Sequence, residues 1–380
     1  MAAKIVRQPN KIALLGAPSS AAAMSPGHEA APAALRAAGL ADRLRAAGYE
    51  VTDLGDDPVQ AYKPDDESPR ARNLRAIVAS LESLKPRVEQ AVKSGALPVI
   101  LAGDCSVALA TVAGTRRYFR NVGMIYMDRD ADFHTPATTS TGSVDGMVVS
   151  HLSGRGAAEM VRFWGEPPLV REPDLALFGF SADRMDAAEK AALDRCPIRR
   201  FPAEEVKSKG VEAAAELAVE RIHGNSAEFI LHFDVDLISD FAATDYPGKG
   251  GLTLADVRQA LQVFASKKHL AAIEVTAYNP AKDSDGTGAR QIVDLLAEVF
   301  GARLDALKSA AASAEAPAPP AAPSAEAEQK PAASESAVAP GEAWSSEDIE
   351  IPIEPPEPAE PGPLAHERPE SGEEPGESHS

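Results

Sequence analysis

Up to about residue 310 the chain alternates two patterns. Short runs of apolar, often β-branched residues are followed by longer stretches in which apolar positions recur every three or four residues. The short runs Ile12 to Leu15, Pro98 to Leu101, Gly123 to Met127, Leu175 to Phe178, Phe229 to Phe233 and Ala271 to Val275 read as buried strands. The longer stretches Arg72 to Lys93, Val107 to Tyr118, Asp183 to Leu193, Val211 to Ile222, Leu254 to Phe264 and Ala289 to Leu304 read as helices, the first interrupted at Pro86. Continuous apolar strands alternating with helices predict an α/β fold, a three-layer α/β/α sandwich around a mostly parallel sheet. In such sheets ligands sit beyond the carboxyl ends of the strands, so chemistry is sought in the residues that follow each run.

From Ala311 the pattern stops. The segment to Ser380 is Ala, Pro, Glu and Ser with few large apolar groups, and it cannot bury enough surface to offset the entropy of ordering it. The expected division is therefore a folded domain over residues 1–309 and a disordered acidic tail over 310–380. Within the tail, Trp344 and the alternation Asp348-Ile349-Glu350-Ile351-Pro352-Ile353 form either a strand-like motif for docking a protein partner or an incidental apolar cluster. The formal charge of -19 is concentrated here, which leaves the domain only mildly acidic. No basic stripe is present to neutralise phosphates, so nucleic acid is not expected as a partner.

The 2 cysteines, Cys105 and Cys196, lie far apart without CxxC spacing, which fits a reducing compartment. The opening residues lack the apolar stretch of a signal peptide, and no apolar run approaches the ~18 residues a membrane helix needs. A cytoplasmic location without membrane attachment is expected. Neither GxGxxG nor a P-loop sits at a strand-to-helix turn, which argues against nucleotide chemistry.

Three strand ends carry ligand-type side chains: Gly103-Asp104-Cys105-Ser106, Asp128-Arg129-Asp130-Ala131-Asp132 and Asp234-Val235-Asp236. Carboxylates two residues apart at the end of a buried strand crowd together, and their repulsion either raises their pKa values or draws in cations. Two such sets converging are how a bridged two-metal site is built. Oxygen-rich ligation suits manganese, magnesium or calcium better than zinc. Cys105 reads either as a nucleophile at a helix start or as a buried inert thiol. His134, His151 and His232 lie near the proposed site in sequence and read either as substitute ligands or as surface or loop histidines, the second being the expectation.

These motifs resemble the ureohydrolases, the family of arginase, agmatinase and formiminoglutamase, and the resemblance runs from about Ile12 to Gly301. Gly103 to Ser106 is similar to that family's GGDHS, Asp128 to Asp132 to DAHxD, and Thr139 to Gly146 to SGNxHG. Phe233 to Asp236 with Gly250-Gly251-Leu252-Thr253 resembles SxDxD and GGLT, and Ala277 to Pro280 with Asp283 resembles EvNP and its following Asp. The resemblance implies two manganese ions, with magnesium or calcium also suited, acting on a guanidino or amidino compound, and a homo-oligomer. By position, Asp128 and Asp234 would bridge the ions, Cys105 and Asp132 would complete one site, and Asp130 and Asp236 the other. Thr139 and Thr141 match positions that contact the amino-acid end of the substrate in arginase, or else belong to a hydroxyl-rich turn.

Four departures qualify that implication. The family's two histidine ligands are Cys105 and Asp130 here, its proton-shuttling histidine is Asp145, and its guanidinium-gripping glutamate is Ala277. Asp145 is thus the candidate catalytic residue by position, and the charge-assisted grip on the substrate is missing. Two functions follow as expectations. One is a metal-dependent hydrolase of a non-peptide C–N bond with impaired or altered activity. The other is a catalytically inactive arginase-fold protein that serves binding or regulation, alone or beside an active relative.

Overall fold

A computed structural model describes residues 5–223 and 228–315. Eight strands form one sheet: β1 (Lys11–Ala17), β2 (Glu50–Asp56), β3 (Leu97–Ala102), β4 (Val122–Met127), β5 (Leu175–Phe178), β6 (Arg199–Phe201), β7 (Glu228–Asp234) and β8 (Leu270–Thr276). Their order is β2-β1-β3-β8-β7-β4-β5-β6, and every pairing is parallel. The helices are α1 (Ala31–Ala37), α2 (Leu40–Ala46), α3 (Leu74–Lys93), α4 (Val107–Arg116), α5 (Val148–Leu152), α6 (Ala158–Val161), α7 (Ala187–Leu193), α8 (Ala203–Lys209), α9 (Val211–His223), α10 (Leu254–Ser266) and α11 (Thr287–Glu315).

The layers follow from the alternation within strands. Ile12, Leu14, Val99 and Leu101 pack in one core with side chains of α1, α2, α9, α10 and α11. Ala13, Leu15 and Ile100 point the other way, into a second core with α3, α4 and α5. A parallel sheet covered on both faces needs strands that are apolar throughout, and β3, β4 and β8 are buried at every position. The expected three-layer α/β/α sandwich is the observed fold.

The differences lie at the edges. The two outermost strands, β2 and β6, are absent from the sequence reading because edge strands are half solvated and β2 is largely exposed. Pro86 does not interrupt α3, which runs through it. The buried stripe of Ile77, Leu81, Leu84, Val88 and Val92 continues on both sides of the proline and holds the two halves in line. Helix α11 continues past the expected boundary at residue 309 to Glu315. The remainder of the expected tail, with Trp344 and Asp348 to Ile353, lies outside the described residues.

Strand order places β8 and β7 between β3 and β4, so the ends of these four central strands face one crevice. Gly103, just after β3, is required there because a Cβ would stand 1.8 Å from the Ser19 carbonyl oxygen and 2.8 Å from that of His28. Its own carbonyl accepts the Ala277 N–H at 2.9 Å, which ties the loop after β3 to the loop after β8. Among the described residues, no helix is long and apolar enough to cross a membrane.

Candidate functional site

The same local device shapes two strand ends. Asp128 accepts the N–H of Asp130 on Oδ1 at 2.7 Å, and Asp234 accepts the N–H of Asp236 on Oδ1 at 2.7 Å. Each turn fixes its carboxylate and leaves the second oxygen available. The register Tyr126↔His232↔Glu274 across β4, β7 and β8 sets three large polar side chains side by side, one pleat behind those turns. Two ligand groups result. Cys105, Asp128, His232 and Asp234 each offer an atom within 4.8 Å of the others, as do Asp128, Asp130 and Asp236. Asp128 is common to both.

The first group lies deep in the fold. The Cys105 thiol reaches Asp234 Oδ2 at 3.1 Å and Thr276 Oγ1 at 3.3 Å. His232 stacks on Tyr126 with ring centroids 4.1 Å apart, and its Nδ1 lies 2.6 Å from Glu274 Oε2. Both His232 and Glu274 are fully buried. The second group is held by cations. Buried Arg129 reaches Asp236 Oδ2 at 3.2 Å and also donates to the Tyr246 carbonyl. Arg184 pairs with both oxygens of Asp130, at 2.5 and 2.9 Å.

A cavity of about 220 Å³ opens onto this cluster, lined among others by His28, Asp132, Asp145, Arg184, Tyr246 and Ala277. Asp145 accepts the Cys105 backbone N–H at 2.8 Å. Burial, reinforced by the neighbouring carboxylates, pushes Asp128, Asp132 and Asp234 well above the usual carboxylate range. Burial and then Asp104 raise Asp145 to about 7. Burial and then Asp130 raise Asp236 to about 6, with Arg129 opposing. Burial and then Asp145 push the Cys105 thiol up, so without an ion the sulfur stays protonated and the nucleophile reading loses its basis.

The structure brings Asp128, Asp130, Asp234, Asp236 and Cys105 together as the sequence implied, with corrections around them. His232 is neither a loop nor a surface histidine: it lies on β7, fully buried, inside a ligand group. Its spacing of two before Asp234 put it on the same face of the strand, and that signal was legible. His151 is likewise fully buried, on α5, away from both groups. His134 lines the cavity, with Nε2 3.8 Å from Asp186 and from Glu189. Asp132 lines the cavity but stands outside both groups, and it accepts the Tyr126 hydroxyl at 2.5 Å.

Thr141 lines the cavity, whereas the Thr139 hydroxyl accepts the N–H groups of Thr141 and Gly142 at 3.2 and 2.9 Å and so serves the turn. Asp283 caps α11 by accepting from Gly288 and Ala289. Sequence reasoning missed His28, Glu274 and Arg184. Glu274 shares the spacing-of-two signal with Thr276, whereas Arg184 sits in the turn after β5 and carries no local signal.

An all-parallel α/β/α sheet whose central strand ends bring two aspartate pairs onto one cavity is the architecture of the ureohydrolases. The Arginase family profile matches residues 10–301, and the chain belongs to that family. It is 28% identical to the arginase of Bacillus caldovelox over 299 residues, covering 77% of this chain and 99% of that one. With the arginase of Neurospora crassa the identity is 31% over 293 residues, covering 73% and 80%. The solved native structure of the Bacillus caldovelox arginase matches with a TM-score of 0.70 at 27% identity, over 77% of this chain and 98% of that one.

The family's pair of metal ions can be tested against the residues present. The first group offers sulfur, nitrogen and two carboxylates, none of which pairs with a lysine or arginine among the described residues, and it fits one divalent ion. The second group does not fit another as it stands, because Asp130 and Asp236 already hold the guanidiniums of Arg184 and Arg129.

Proposed function

We propose that this chain is a metal-dependent hydrolase of a non-peptide C–N bond in a guanidino or amidino compound, with weak or redirected activity towards arginine and agmatine. The observation that carries this reading is the convergence of Asp128, Asp234 and Asp145 on one cavity of about 220 Å³. A divalent ion held by Cys105, Asp128, His232 and Asp234 would supply an acidified water and a positive charge beside the C–N bond. Asp145, anchored through the Cys105 N–H, is placed to hold and return a proton at its carboxyl group. Ala277 presents no carboxylate at the cavity wall, so a cationic guanidinium lacks its charge-assisted anchor there.

The experiment is a panel of guanidino and amidino compounds incubated with the full chain and manganese, zinc or cobalt, with urea, ammonia and amine products read by mass spectrometry. Ion-dependent release from at least one compound, lost in Asp234→Asn, is expected. Silence across a panel that demonstrably binds would remove the hydrolase reading. The ion pairs of Arg129 and Arg184 favour a second reading, an arginase-fold protein that binds without cleaving, and the same panel separates the two by pairing binding with product. Cytoplasmic location and self-association belong to the proposal through family likeness, and cell fractionation and light scattering test them.

A further inference from the structure

We infer that the Cys105–Asp128–His232–Asp234 group is a one-ion site for a borderline metal of the zinc or cobalt kind, and that Arg129 and Arg184 supply the positive charge a second ion would bring to its neighbour. The inference deepens the hydrolase reading but depends on it only for the ion's use in catalysis.

The donor set comes first. A hard ion such as manganese prefers oxygen, whereas a thiolate, an imidazole and carboxylates in a four-ligand set suit zinc. All four donors here lie within 4.8 Å of one another and all four residues are buried. An ion bound there would be held by the Cys105 sulfur as a thiolate, with the thiol proton now directed at Asp234 released to solvent.

The support behind the ligand comes second. His232 Nδ1 faces Glu274 Oε2 at 2.6 Å, and stacking on Tyr126 fixes the ring plane. With Nδ1–H donated to that carboxylate, Nε2 keeps its lone pair on the side of Thr276, the residue whose hydroxyl also meets the Cys105 sulfur. A carboxylate behind a histidine is the usual outer shell of a metal-bound imidazole. Glu274 is fully buried, and its Oε1 finds no hydrogen-bond partner among the described residues. A surface role for this dyad is thereby excluded.

The asymmetry between the groups comes third. Asp130 and Asp236 are neutralised by guanidiniums from Arg184 and Arg129, while no lysine or arginine pairs with Asp128 or Asp234 among the described residues. Buried carboxylates without a partner either take up protons or bind a cation. The place left for an ion is therefore the Cys/His group.

The test is to strip the full chain of metal and titrate it with cobalt. One equivalent is expected, with the near-ultraviolet absorption of a thiolate-to-cobalt bond, displaced by stoichiometric zinc and not by equal manganese. Cys105→Ser should lose that absorption, and His232→Gln should weaken zinc binding by roughly tenfold or more. Should His232→Gln not fold, Glu274→Gln replaces it, with a similar loss expected. Two manganese ions that bind in preference to zinc, a folded wild type without the thiolate absorption, or a Cys105→Ser protein that retains it would overturn the inference. Zinc bound without turnover would leave it standing and remove the hydrolase reading. A manganese pair with turnover would do the reverse.

Discussion

Arg184 spans both oxygens of Asp130, with Nε 2.5 Å from Oδ1 and Nη2 2.9 Å from Oδ2. A fork that engages a carboxylate bidentately leaves no lone pair pointing at a metal in the same direction. Arg184→Gln should free Asp130 without disturbing β4 or β7, since Arg184 is part-exposed in a turn. The measurement is metal content at saturating manganese: the wild type is expected to hold one ion and the variant close to two. One ion in both would mean that Arg184 is not what limits the second group and that Arg129 on Asp236 suffices to close it.

How much of this was legible beforehand depends on where each residue sits. The six central runs were readable because strands buried on both faces must be apolar throughout, and the chemistry had to lie at their ends. Edge strands β2 and β6 carry no such constraint, and β6 has only three residues. Asp128, Asp130, Asp234 and Asp236 were found through local spacing. His232 stands two residues before Asp234, so strand alternation alone puts the two side chains on one face of β7, although the family has no ligand at that position. Arg184 is 54 residues from the carboxylate it holds, and only the placing of the β5 turn beside the β4 end brings them together.

Acid sensitivity should be traceable to His151. This side chain is fully buried on α5, its Nε2 accepts the Ala157 N–H at 3.2 Å, and burial lowers it from 6.5 to about 4. Above pH 6.5 both folded and unfolded chains hold it neutral, so it contributes no pH dependence. As pH falls from 6.5 towards 4 the unfolded chain binds a proton that the folded chain refuses, and stability drops by about 3 kcal/mol. Urea unfolding across this range should show the wild type losing stability relative to His151→Gln as the pH falls. Equal slopes would place the acid sensitivity elsewhere.

Truncation tests the proposed boundary. A chain ending after Glu315 should keep its thermal midpoint within about 2 °C of the full chain, because the tail's composition gives it nothing with which to join a core. Ending at residue 309 instead removes the exposed last turns of α11 and should cost little more, since the last fully covered apolar side chain of that helix is Leu304. A fall of ten degrees or so in the first truncation would show that residues beyond 315 pack on the domain.

On the proposed reading, five positions of the site, and not the fold, separate this chain from an ordinary arginase. Cys105, Asp130, Asp145 and Ala277 all stand at or beside the metal groups and their cavity, and Arg129 holds the Asp236 that a second ion would need. Ion, nucleophile, proton carrier and substrate grip act as a unit, so single repairs should do little and the joint repair much. Ala277 sits at φ 63, where a glutamate carries some strain, and the gain is expected in spite of it. The decisive measurement is the initial rate of urea release from arginine with manganese, for the wild type and for the variant Cys105→His/Arg129→Ala/Asp130→His/Asp145→His/Ala277→Glu. Trace release is expected from the wild type and a rise of at least about a hundredfold from the variant. Robust release by the wild type, or a folded variant that binds manganese and remains as slow as the wild type, would contradict the proposed reading.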